Sequence, residues 1–196
     1  MIRLIRWPFG CLLETAMQVQ KWLDSDAMAK ASLAVIAFFA LVASSFIAIP
    51  LEPVPITMQT LAVTLTGVVL GARFGSMVVA IWVLVGFFGF PVLAMGSGGI
   101  EQLSDPTAGY LYSFPLVAFV AGRLEKNRSN TQTFFALLIA HLLCLMMGSI
   151  WLAMYLGWFD AFFFGFVPFL AGAVLKSLLG TLILFAWVRG PRVEAQ

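Results

Sequence analysis

Charged residues are scarce in this chain. Of its 196 residues only 10% are Asp, Glu, Lys or Arg, whereas 62% are hydrophobic, and mean hydropathy is +1.01. Soluble domains run at about 45–50% apolar with about a quarter charged, so a water-soluble domain of this length could not bury so much apolar surface. The remaining solvent is lipid. Cysteine is nearly absent, and Cys11 and Cys144 fit neither a disulfide framework nor a metal site. No Ser–His–Asp set, paired carboxylates or His-Glu-x-x-His motif occurs, so nothing points to an enzyme, a metal or a cofactor. The net charge of +2, without a basic run or an RNA-type aromatic motif, leaves no case for a nucleic-acid partner. A cleaved signal is not expected either, because Arg3 and Arg6 interrupt the stretch before Phe9-Gly10-Cys11.

What is present is apolar sequence in long runs. Cut at their polar, Pro and Gly interruptions, these predict six spans, roughly 28–49, 57–72, 74–90, 107–122, 132–156 and 168–189. A perpendicular span needs about 20 residues, so the second, third and fourth are expected to be short or tilted. The fold class is therefore all-α: a polytopic integral membrane protein with a six-helix bundle over 28–190. Residues 1–27 form a segment on the membrane surface, and 191–196 a short tail. In the first segment, Leu12, Ala16, Val19 and Leu23 share one helical face over 12–24, with Glu14, Gln18 and Lys21 opposite. Residues 162–167 read as an aromatic hairpin ahead of Pro168.

Charge distribution sets an orientation. Ten of the eleven basic residues (Arg3, Arg6, Lys21, Lys30, Arg73, Arg123, Lys126, Arg128, Arg189 and Arg192) fall on one side of such a bundle. The other side carries Glu52, Glu101, Asp105 and Asp160. The positive-inside rule then puts both termini in the cytoplasm.

The eleventh basic residue, Lys176, lies inside the last span. An ionisable side chain there costs about 3 kcal/mol unless it meets a cavity or a partner. Gly172 and Gly180 flank it on the same helical face and leave room for a groove. Lys176 is thus a candidate site for an anionic group. Met95-Gly96-Ser97-Gly98-Gly99 lacks the strand and the Lys-Ser/Thr end of a phosphate loop. It reads either as a flexible turn or as a loop whose backbone N–H groups approach a small ligand. Gly67, Gly71 and Gly75 suit close helix contact. Ala31, Ala34, Ala37, Ala40 and Ala43 make a smooth ridge on the first span, for internal packing or for a partner. His141, the only histidine, has no metal-ligand neighbour and reads as a core residue hydrogen-bonded to another helix.

Three segments carry a resemblance. They are Pro50-Leu51-Glu52-Pro53-Val54-Pro55-Ile56-Thr57-Met58-Gln59-Thr60-Leu61, then Gly86 to Gly99 continuing through Pro106-Thr107-Ala108-Gly109-Tyr110-Leu111, and Pro168-Phe169-Leu170-Ala171-Gly172 through Lys176. Over about residues 30–188 the chain resembles the BioY family, the biotin-binding S components of energy-coupling-factor (ECF) vitamin transporters. The resemblance implies a six-helix fold in a bacterial cytoplasmic membrane that captures biotin from the outer face. It also implies a transmembrane coupling subunit and cytoplasmic ATPase subunits as partners, with no catalytic residue of its own. Gln59, Trp82, Tyr110 and Lys176, with Gly96, Ser97, Gly98 and Gly99 as a lid, are the expected substrate-binding residues. The chain departs from the family pattern at Ala173, where an aspartate is usual, and at Ser97, where an arginine is expected. A carrier for another vitamin or a biotin precursor remains an alternative. An intramembrane enzyme using His141 or Lys176 is a more remote one.

Overall fold

Residues 27–125 and 129–189 are described in the computed structural model, and they form a helical bundle with one short two-stranded ribbon. The helices are α1 (Met28–Phe46), α2 (Gln59–Leu70), α3 (Ala72–Phe87), α4 (Ala108–Leu124), α5 (Asn130–Leu156), α6 (Trp158–Gly165) and α7 (Phe169–Arg189). Each expected span coincides with one of these, and α6 is additional. The expected surface helix at 12–24 and the tail from 191 lie outside the described residues.

The expected aromatic hairpin at 162–167 is corrected by α6. Gly157, at φ +83°, turns the chain out of α5 while its N–H still bonds Ala153 O at 2.9 Å. That left-handed residue ends one helix, and the next eight residues wind into another. Its rings stay outside, with Trp158 and Phe159 about three-quarters exposed.

Small residues hold the bundle together. The central helix is α4, which packs on α2, α3 and α5. A Cβ on Gly67 of α2 would collide with the Ala118 carbonyl of α4. One on Gly148 of α5 would collide with the Tyr110 ring, and one on Gly75 would sit 2.8 Å from Gly67 Cα. Backbones therefore approach closely between α2 and α4 and between α2 and α3, and a ring lies flush on backbone between α4 and α5, as lipid-embedded helices require when no hydrophobic force drives them together. Gly71 does something else. It has φ +82° and open space around it, and serves the turn between α2 and α3.

The surface is apolar where a soluble protein would be polar. Val35, Ile36 and Phe39 on α1, Met154 on α5, and Leu175 and Leu182 on α7 are all exposed. Three helical stretches, Met28–Phe46, Asn130–Leu156 and Trp158–Ala186, are long and apolar enough to cross a membrane. The apolar helices α2, α3 and α4 are shorter. At 12 residues, α2 is about 18 Å long, short of a hydrocarbon core of about 30 Å. Ahead of it, β1 (Ala48–Ile49) pairs antiparallel with β2 (Ile56–Thr57), Ala48 opposite Thr57. The ribbon is fastened to the start of α2 by Met58 N–H to Ile47 O at 3.0 Å.

Candidate functional site

One cavity lies where the ribbon, the loop after α3, the start of α4, the middle of α5 and the first turns of α7 converge. It encloses about 700 Å³ not filled by protein atoms, part of it open at the mouth. One wall is built by loops and the start of α2: Val54, Pro55, Thr57, Gln59 and Thr60, then Leu93, Ala94, Ser97, Gln102 and Thr107. Helices make the other, with Tyr110, Leu111 and Phe114 from α4, His141 and Leu145 from α5, and Phe169, Ala173 and Lys176 from α7. The lining is mainly aliphatic and aromatic with a few polar groups, as small-molecule sites are.

Lys176 bridges the two walls. It lies seven residues into α7, about 10 Å along the axis, and its Nζ donates to Thr57 O at 2.6 Å and to Thr60 Oγ1 at 3.0 Å. Both partners are neutral, and among the described residues no carboxylate lines the cavity. A cation drawn from water into such a place is held by hydrogen bonds but not neutralised, and an anion entering the cavity would find it. The two glycines beside it behave differently: a Cβ on Gly172 meets nothing within 4 Å, whereas one on Gly180 would press on Leu137 Cδ1 at 2.7 Å.

Gln59 heads α2 and is almost completely buried. Its Nε2 donates to Ser45 Oγ at 3.0 Å and its Oε1 accepts from Thr57 Oγ1 at 3.2 Å. Ser45 Oγ in turn reaches Val92 O at 2.8 Å, so the amide is fixed by a relay through α1 to the loop. Tyr110 fixes its hydroxyl on Gly165 O at 2.8 Å and presents its ring to the cavity. Ser97 faces Gln102 across 3.5 Å at the mouth.

Of the eight residues expected at a binding site, Gln59, Ser97, Tyr110 and Lys176 line the cavity; Trp82, Gly96, Gly98 and Gly99 lie outside its lining. Trp82 stands one layer behind. Its indole stacks on Phe114 with centroids 5.8 Å apart, and its Nε1 donates to Val92 O at 3.1 Å. The glycines are used by the loop itself. A Cβ on Gly98 would strike Phe90 O, and Gly99 N–H bonds Gly86 O at 2.8 Å. No backbone approach to a ligand is needed to account for them. Among the lining residues not anticipated at the site, Thr60 and His141 are the polar ones on helices. Thr60 is one helical residue past Gln59, and His141 is the expected core residue bonded to another helix, with Ser177 Oγ of α7 3.2 Å from its Nδ1, that borders the cavity as well. An ionisable side chain midway along an apolar helix is the signal that marks His141.

Comparison with known proteins places this geometry. Residues 17–192 match the model of the BioY family. The chain belongs to the BioY family. Among its relatives, the "Biotin transporter BioY" of Thermotoga maritima is 38% identical over 145 residues, 73% of this chain and 86% of that one. The "Probable biotin transporter BioY" of Pyrococcus horikoshii is 34% identical over 137 residues, 70% of this chain and 82% of that one. The bundle also superposes on a crystal structure of the S component for biotin from an ECF-type ABC transporter. The TM-score is 0.76 at 23% identity, over 86% of this chain and 95% of that one. That likeness shows the S-component fold; the family match and the long apolar helices make the chain a multi-pass protein of the cytoplasmic membrane.

Proposed function

We propose that this chain is the membrane-embedded capture component for biotin uptake, working with a transmembrane coupling subunit and cytoplasmic ATPase subunits. The observation that carries the reading is Lys176, an ammonium with only neutral oxygen partners in an otherwise apolar cavity. Biotin has a carboxylate on an apolar chain and a neutral ureido ring. Its relatives' names and the family add the same ligand. Gln59, Ser97, Tyr110 and Lys176 are the contacts this reading uses. Trp82 stiffens the wall behind Phe114, and Gly96, Gly98 and Gly99 shape the loop at the mouth. The binding unit is 28–190, flanked by cytoplasmic segments 1–27 and 191–196.

The cavity opens outward in this reading, with both termini in the cytoplasm. Supporting it, the ends of the bundle differ in charge. A Cβ on Gly122 would sit 2.7 Å from Ala72 N, so Arg73 and Arg123 share one end. At the other, Tyr155 and Trp151 of α5 bond Ser104 O and Asp105 O, which gathers Glu101, Asp105 and Asp160 beside the cavity mouth. Basic residues are retained on the cytoplasmic side.

Two measurements test this. Calorimetry on the purified protein in detergent, titrated with biotin and with other vitamins, should show saturable binding of biotin alone. Tight binding of a different vitamin would reassign the substrate. For orientation, with Cys11 and Cys144 replaced, a cysteine at Ser104 should react with an impermeant thiol reagent in intact cells. A cysteine at Ser129 should react only after permeabilisation; the reverse pattern would invert the topology.

A further inference from the structure

His141 sits midway along α5, 2% exposed and bordering the cavity. Its two ring nitrogens are in different situations. Nδ1 lies 2.8 Å from Leu137 O, one turn back on the same helix, and 3.2 Å from Ser177 Oγ on α7. The hydroxyl hydrogen of Ser177 is committed to Ala173 O at 2.7 Å, so toward the ring Ser177 only accepts. Both neighbours of Nδ1 are then acceptors, and Nδ1 must carry the hydrogen. In the neutral imidazole that leaves Nε2 as a bare lone pair. Nε2 is buried and has no hydrogen-bond partner among the described residues. Buried polar atoms are nearly always paired, and an unpaired one costs stability.

We infer that His141 Nε2 is a ligand contact, accepting a hydrogen bond from an N–H of the bound molecule and thereby selecting its orientation. The assignment rests on the biotin reading and deepens it. The ureido ring carries two N–H donors on an otherwise apolar bicycle, and a carboxylate carries none. Nε2 accepts only, whereas the Lys176 ammonium donates only. A molecule with an anionic tail and an N–H head therefore turns its head, not its tail, to the lone pair, because a carboxylate would meet it acceptor to acceptor. Nε2 has no water-accessible surface in the unliganded protein, so the ligand reaches it by displacing neighbouring side chains.

The test is a cycle between protein and ligand. Full-length wild type and His141→Leu are titrated in detergent with biotin and with biotin methylated at either ureido nitrogen. Losing the acceptor should weaken biotin about tenfold. Methylating the contacting nitrogen should weaken wild type by at least as much, yet change His141→Leu little, because the same bond is already gone. His141→Gln, whose amide reaches about as far as Nε2, should recover part of the affinity, and the shorter His141→Asn should not. Unchanged biotin affinity in His141→Leu overturns the assignment. So does a methylation penalty equal in both proteins, which makes the imidazole a packing residue. If His141→Leu does not purify as a monodisperse species, Gln and Asn decide: equal affinities in the two overturn it. Failure of wild type to bind biotin at all is a separate result, and refutes the substrate reading first.

Discussion

The two walls of the cavity are built on different terms. The loop wall is closed by its own main chain: Leu93 N–H bonds Ser97 O, Gly96 N–H bonds Leu93 O, and Thr107 donates through both N–H and Oγ1 to Asp105 Oδ1. Its polar side chains pair with one another, as Ser97 does with Gln102 and Thr57 with Gln59. The helix wall is apolar except where Tyr110, His141 and Lys176 interrupt it. Two of those carry unmet capacity, a lone pair on His141 and a charge on Lys176. The loops therefore set the shape of the site, and the helices direct polarity at what fills it. Rigid helical scaffolds hold such groups more accurately than loops do.

The sharpest way to break that contrast is to disturb the helix wall at its packing. Gly148→Leu places a side chain where the Tyr110 ring already sits, and close helix contact in lipid tolerates no such bulk. Loss of a monodisperse peak on size-exclusion chromatography is expected, with no biotin binding. A folded, binding-competent variant would show that the α4–α5 contact is plastic. A smaller effect is expected from Lys176→Met, which removes the charge and keeps the volume. Biotin affinity should fall about ten- to a hundredfold, since a charge-assisted hydrogen bond is worth about 1.5–3 kcal/mol. The melting temperature should hold or rise, because an ion no longer has to be buried. Unchanged affinity would remove the lysine from the site. The smallest effect belongs to the loop wall. Gly96 has φ +75° and lies outside the lining, so Gly96→Ala should cost about 1 kcal/mol of stability. Biotin affinity should be unaltered, and a tenfold loss there would return the glycine loop to the ligand.

The helices were legible because lipid imposes long apolar runs, and the interruptions at Pro50–Pro55 and Pro91–Pro106 mark loops whatever the tertiary context. The α6 helix was not, since eight aromatic-rich residues after Gly157 have the same composition as a membrane-surface hairpin. At the site, Lys176 announced itself by the cost of its charge, and Gln59 and Tyr110 by the family motifs around them. Glycines 96, 98 and 99 lie outside the lining. Glycine marks a close approach without saying to what: at Gly98 the neighbours are Phe90 O and Gly86 O, and at Gly96 the Phe46 ring. His141 is the core residue bonded to another helix that its position predicts, and it borders the cavity as well. Whether its ring faces a core or a cavity depends on how α5 and α7 lie against each other, and neither run encodes that alone. Ser177 and Ala173, which fix its tautomer, come from thirty-odd positions further along the chain.

The Gln59–Ser45–Val92 relay has a mechanical consequence for α1. That helix has its buried residues, Leu41, Ser44 and Ser45, gathered in its last two turns, while Val35, Ile36 and Phe39 are exposed. Ala34 and Phe38 also rest on the core, so the helix is held most firmly at its last turns and more lightly before them. Its firmest point is a serine bonded to the amide that borders the cavity, so this lipid-facing helix and the lining of the site share one hydrogen bond.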